Sequence, residues 1–148
     1  MRNKPPEETW LYKYYDAIKR GAIVAWQELI TELEKLIEDF SNPEYYYDTK
    51  DADFRINFME NCVKLTKSPF YGKAMKLILW QKALIETMYS YKMAIDGTMR
   101  FRRVLLLIGR KNTKSETCSG LALTEMITGN NGADIVCSSN DDTQANIL

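Results

Sequence analysis

Histidine is absent from the 148 residues. Its absence excludes His-ligated zinc sites, serine triads and imidazole general bases. Cysteine is scarce: Cys62, Cys118 and Cys137 form no CxxC pair and are odd in number. That argues against a disulfide framework and reads them as small fillers on apolar faces. No apolar run approaches the roughly 18 residues of a membrane span. The opening MRNKPPEETW lacks the hydrophobic core of a secretory signal, so an intracellular protein is expected. Charge of either sign is not in excess, with 20 Lys and Arg against 20 Asp and Glu. A wholly basic nucleic-acid coat and an acidic tail are both excluded.

What is present suits one soluble globular domain, with 45% apolar and 27% charged residues. The charge is unevenly spread. Residues 1–50 carry 7 basic and 10 acidic side chains, 51–114 carry 13 and 5, and 115–148 carry none and 5. The basic middle is a candidate to meet phosphate, although solvated helix faces often carry such imbalances.

Periodicity predicts helices at 10–20, stopped by Gly21, and at 22–40, where Ile23, Trp26, Ile30, Leu33, Ile37 and Phe40 form one seam. A third is predicted over 51–67 with Phe54, Phe58, Cys62 and Leu65 as its stripe, and a fourth within 77–91. Tyr45, Tyr46 and Tyr47 read as a loop pinned to helices rather than as a base-stacking platform. Gly97 marks a turn.

The texture then changes. The run 104–108 (VLLLI) suits a strand buried on both faces of a parallel sheet. A polar loop follows, then the helix TCSGLALTEMITG, a turn at Asn130-Asn131-Gly132 and a second strand, ADIVCSS. Strand, loop, helix and strand make a βαβ unit, hence an α/β fold.

The loop carries the chemistry. Lys114 and Ser115 follow the strand at a helix start, where backbone N–H groups and the helix dipole favour an anion. Lys114 would supply a charge to the β- and γ-phosphates of ATP, and the Ser115 hydroxyl one contact to Mg²⁺. Arg110 and Lys111 add positive charge at the loop entrance. The pattern GxxxxGKS would need glycine at 108 and 113, where Ile108 and Thr113 stand, and Gly109 comes one place late. Threonine in a left-handed conformation there costs on the order of 1–2 kcal/mol.

The segment GTMRFRRVLLLIGRKNTKSE resembles the start of the ATPase domain in large terminase subunits of tailed bacteriophages. That family's Walker A variant reads arginine, lysine, asparagine, glycine, lysine, serine. The chain matches at Arg110, Lys111, Asn112, Lys114 and Ser115 and departs at Thr113. Upstream, PFYGKAMKLILWQKALIETMYSY is similar to the family's segment with a Trp-Gln pair, here Trp80-Gln81. Downstream, GADIVCSSNDDTQANIL is similar to its second strand and helix, and the N-terminal stretch to its lead-in.

The resemblance implies a helical lead-in over 1–67 and, over 68–148, the N-terminal part of a P-loop NTPase parallel sheet, truncated after the second strand. It implies that Gln81 hydrogen-bonds adenine beside Trp80, that residues 109–115 hold ATP and Mg²⁺, and that Arg110 acts on the transferred phosphate. It further implies a motor and endonuclease that package double-stranded phage DNA into procapsids in the infected host cytoplasm. The partners would be that DNA, a small terminase subunit, a portal protein and further copies of the chain, with no membrane.

No aliphatic strand ending in Asp-Glu follows Ser115, and the nuclease carboxylates are missing. The chain is therefore expected to bind nucleotide but not to hydrolyse it efficiently alone. Its ending, DDTQANIL, reads as a helix start, which suggests the front part of something longer. Two other readings stay open: a non-enzymatic interaction module that has lost nucleotide binding, and an unrelated P-loop ATPase.

Overall fold

Thr9 opens helix α1 (Trp10–Lys19) by accepting the Tyr12 N–H on its hydroxyl at 3.2 Å. The computed structural model describes residues 4–66, 68–109, 112–129 and 134–136. Helix α1 ends as expected at Gly21, whose φ of +73° is a left-handed turn that glycine adopts without strain. Ala22 and Ile23 both donate backbone N–H groups to the Ala17 carbonyl, which completes the α1 C-terminus. That closure holds the chain extended beyond it. Helix α2 (Gln27–Glu38) therefore starts later than the seam predicted, and Trp26 lies before it in an extended conformation, 85% exposed. Leu33 keeps its inward place, with Ile30, Ile37 and Phe40 packed beside it.

Strand β1 (Tyr45–Tyr47) precedes helix α3 (Lys50–Cys62); helix α4 (Leu79–Ser90) runs directly into strand β2 (Tyr91–Met93). The two strands pair antiparallel in the register Tyr45 with Met93 and Tyr47 with Tyr91. The tyrosine triplet is thus a short strand, and it packs as expected of a structural cluster. Tyr47 and Tyr91 are edge to face at 4.7 Å, and Phe40 lies 4.6 Å from Tyr47. Gly97, at φ +71°, turns the chain so that Met99 bridges Lys92. Arg100 then lays its guanidinium 4.0 Å over Tyr45 and pairs with Asp39 at 2.7 Å.

The chain divides into two compact units, Met1–Ile56 with Leu77–Leu105 and Asn57–Lys76 with Leu106–Leu148. In the first, α1 packs along α4 and α2 around Leu11, Ile18, Leu33, Tyr47 and Tyr91. In the second, residues 63–65 and 73–75 form a small antiparallel hairpin. Met75 N–H donates to Val63 C=O at 2.9 Å and Leu65 N–H to Lys73 C=O at 2.9 Å. Helix α5 (Lys114–Thr128) lies on Met59 and Met75 through Gly120, where a Cβ would stand 2.7 Å from Met59 Cε.

Several expectations need correction. The buried stripe of α3 is Ala52, Ile56 and Met59, continued by Val63, while Phe54 and Cys62 are exposed. The polar residues between these positions left the face ambiguous by a fraction of a turn. Cys118 is also exposed, so neither described cysteine fills a core; Cys137 lies outside the described residues.

The architecture is mixed α/β. Its sheet among the described residues is the two-stranded antiparallel pair, with no parallel pairing. The run 104–108 carries no strand, and Leu105 and Leu107 are 82% and 81% exposed. An aliphatic run becomes a strand only when a neighbour satisfies its backbone groups. The second expected strand falls mostly outside the described residues, and Asp134, Ile135 and Val136 carry no strand. No helix among the described residues is long and apolar enough to cross a membrane.

Candidate functional site

The loop entering α5 is built on short local contacts. Asn112 Nδ2 donates to the Gly109 carbonyl at 3.3 Å, closing the loop on itself. Thr113 then adopts φ 55° and ψ 21°, the one positive φ among the described residues that are not glycine. A β-branched side chain is disfavoured there, because Cβ crowds the neighbouring carbonyl. The Thr113 carbonyl accepts the Thr117 N–H at 2.9 Å and the Thr117 hydroxyl at 2.8 Å, which anchors the first helical turn.

The Thr113 hydroxyl donates back to the Asn112 carbonyl at 2.8 Å and makes no capping bond. The first N–H groups of α5 are thus left without a side-chain cap, and such donors suit an anion. Lys114 and Ser115 occupy the first two helical positions, both exposed. Glu116 follows, half-buried. The inner face of α5, Thr117, Gly120 and Thr124, is buried in the second unit, so the helix that presents the loop is held by packing. These donors fit a phosphate group and one hydroxyl contact to a hydrated Mg²⁺. Among the described residues no group of three or more Cys, Asp or Glu is placed to hold a metal by itself.

Gly109, Asn112 and Thr113 thus lie in the loop and Lys114 and Ser115 in the first turn of α5, all in the second unit. Arg110 and Lys111 lie outside the described residues. Trp80 and Gln81 belong to the first unit, at the start of α4. Gln81 is 3% exposed, and its side-chain carbonyl accepts the Ile78 N–H at 2.8 Å. It therefore caps its own helix. Trp80 is half-buried.

The first unit also holds a groove of about 630 Å³ between α2, α4 and residues 100–105. Four of its charges are paired, Lys35 with Glu32 at 2.6 Å and Arg100 with Asp39 at 2.7 Å, and Glu38 and Arg103 also line it. None of the residues expected to bind nucleotide lines it.

Sequence reasoning missed Glu86. It is fully buried in α4, and its Oε2 accepts the Leu11 N–H at 2.8 Å in the first turn of α1. Burial pushes its carboxyl up to about 7, and the Leu11 bond offsets this in part. Its Oε1, the Tyr47 hydroxyl and the Ser90 hydroxyl meet no strict hydrogen-bond geometry, although the Tyr47 hydroxyl lies near enough to Glu86 to favour the carboxylate. Burial likewise raises the Tyr47 hydroxyl. The available signal was one carboxylate inside the apolar stretch ALIETMYSY. The hairpin of residues 63–75 was missed too, and its signal was the turn chemistry of Ser68-Pro69 and Gly72 within it. Compared with protein-family models, curated proteins and solved structures, the chain matches none significantly.

Proposed function

We propose that residues 109–115 bind the triphosphate of Mg·ATP in the N-terminal part of an ATPase of the terminase large-subunit type. The observation that carries this reading is Thr113, which takes the left-handed conformation for which the family pattern uses glycine. A non-glycine residue in that region is tolerated where the surroundings over-determine it, and such positions cluster at binding sites. Lys114 adds a second argument. An ammonium at the first position of a helix opposes the macrodipole, at a cost of about 0.3–1 kcal/mol. An anion held between the two reverses that sign.

In this reading Lys114 contacts the β- and γ-phosphates, the Ser115 hydroxyl faces Mg²⁺, and the α5 N–H groups cradle phosphate oxygens. Arg110 acts on the transferred phosphate, and Lys111 and Asn112 shape the entrance. The run 104–108, unpaired among the described residues, becomes a strand of a parallel P-loop sheet once a neighbouring strand satisfies its backbone groups. The whole protein is then a motor and endonuclease for double-stranded viral DNA in the host cytoplasm, working with a small terminase subunit, a portal protein and copies of itself.

Titration of the full chain with a fluorescent ATP analogue and Mg²⁺ tests the nucleotide site. Saturable binding is expected, weakened at least about tenfold by Lys114→Ala through loss of a charged phosphate contact. Ser115→Ala should weaken it only when Mg²⁺ is present. Binding that ignores Lys114→Ala defeats the reading. A second reading rests on the exposure of Leu105 and Leu107: a non-enzymatic module that pairs this run with another chain. It expects no nucleotide binding in the same titration.

A further inference from the structure

We propose that the hairpin of residues 63–75 is a contact for single-stranded nucleic acid, with Phe70 and Tyr71 stacking on bases and Lys64, Lys73 and Lys76 meeting phosphates. This inference stands on the hairpin alone and does not depend on the ATP site.

The hairpin is anchored from below and bare above. Val63 and Met75 are buried against the second unit's core, and alternation turns Lys64 and Lys76 to the solvent face. Gly72 N–H donates to Leu65 C=O at 2.8 Å and Lys73 N–H to Phe70 C=O at 3.0 Å, which closes the tip. Tip positions ordinarily favour Gly, Asn, Asp, Pro or Ser. Here the tip holds two adjacent aromatic residues, Phe70 at 54% and Tyr71 at 78% exposure. Neither stacks on a described ring. The partner of Phe70 is the Lys73 ammonium, 5.4 Å from its ring centroid.

Charge points the same way. From residue 61 to residue 85 the sequence has five lysines and no acidic residue. Lys64, Lys73 and Lys76 are exposed and form no ion pair with a described carboxylate, whereas Lys4, Lys19, Arg20, Lys35, Lys92 and Arg100 each do. Exposed π-faces beside unpaired ammonium groups are what an unstacked, phosphate-linked strand recognises. A base within a duplex already stacks on its neighbours and offers no face to the tip. An anionic bilayer suits it less well, because the large apolar side chains Val63 and Met75 point inward and leave chiefly two rings to insert.

The test is fluorescence anisotropy of the full chain with labelled oligothymidylate and oligouridylate of roughly 15 nucleotides. Binding is expected to fall with salt at a log–log slope of about −2, from three phosphate contacts. Phe70→Ala with Tyr71→Ala should weaken it by roughly tenfold or more. Replacing Lys64, Lys73 and Lys76 with glutamine should flatten the salt slope. Preference for either oligonucleotide identifies the strand as DNA or RNA, and both results support the contact. Indifference to the aromatic pair overturns it. So does equal affinity for a duplex, or binding to phosphatidylserine vesicles that competes with the oligonucleotide. The substituted side chains are exposed, and unchanged melting of each variant separates lost contact from lost fold.

Discussion

Replacing Thr113 with glycine removes the one strained side chain in the loop and nothing from a core, since Thr113 is exposed. The left-handed conformation costs an L-residue about 1–2 kcal/mol. Glycine is relieved of that but gains freedom in the unfolded chain, which returns about 0.5–1 kcal/mol. The hydroxyl bond to the Asn112 carbonyl at 2.8 Å is exposed to water, and its loss costs at most about 0.5 kcal/mol. The central expectation is a gain of roughly 0.5 kcal/mol, with about 1.5 kcal/mol as the upper bound. At an ordinary negative φ the same substitution loses about 0.5–1 kcal/mol. The lower bound is a loss of about 0.5 kcal/mol, so a loss larger than that separates the ordinary case from the strained one.

Amide exchange reads it locally. The Thr117 N–H donates to the Thr113 carbonyl, and its exchange should slow by roughly twofold, up to about tenfold at the upper bound. Because the strain exists before nucleotide arrives, its relief belongs to stability. ATP affinity rises only as far as the Thr113 side chain obstructs phosphate. Exchange at Thr117 faster by clearly more than about twofold in Thr113→Gly refutes the argument from strain.

Two further predictions concern the cores. The Glu86 carboxyl is held at about 7, above its ordinary 4.5. The folded chain thus binds a proton that the unfolded chain has released across this window. Stability is full below about pH 4.5 and is lost as pH rises through about 7, by roughly 3 kcal/mol in all. Glu86→Gln keeps an acceptor for Leu11 and should be the more stable form at pH 8. Parallel urea-midpoint curves for the two proteins from pH 5 to 8 would show that the carboxyl does not titrate as described. In the second unit, Gly120→Val puts side-chain atoms where even a Cβ stands 2.7 Å from Met59 Cε and 3.2 Å from Met75 Sδ. Overpacking of about 1–3 kcal/mol should follow, whereas Gly120→Ala stays near neutral because helix propensity returns about 1 kcal/mol. Amide exchange along α5 measures both, and wild-type protection in the valine variant sinks the packing argument.

Local rules settle what local rules can reach. Gly21 and Gly97 mark turns in the sequence, and both sit at positive φ because the chain reverses there. The helical spacing around Leu33 and the apolar stretch of α4 are likewise readable, since a helix satisfies its own backbone and needs only a face to bury. The Lys114-Ser115 pair at a helix start is also legible, as is the cost of threonine before it. Tertiary structure alone decides whether 104–108 becomes a strand, because a strand's hydrogen bonds belong to a neighbour that composition does not name. It alone turns Ala52, Ile56 and Met59 inward instead of Phe54 and Cys62. It alone brings Glu86 to the Leu11 N–H, 75 residues away in sequence, where lost water rather than residue type sets the proton affinity.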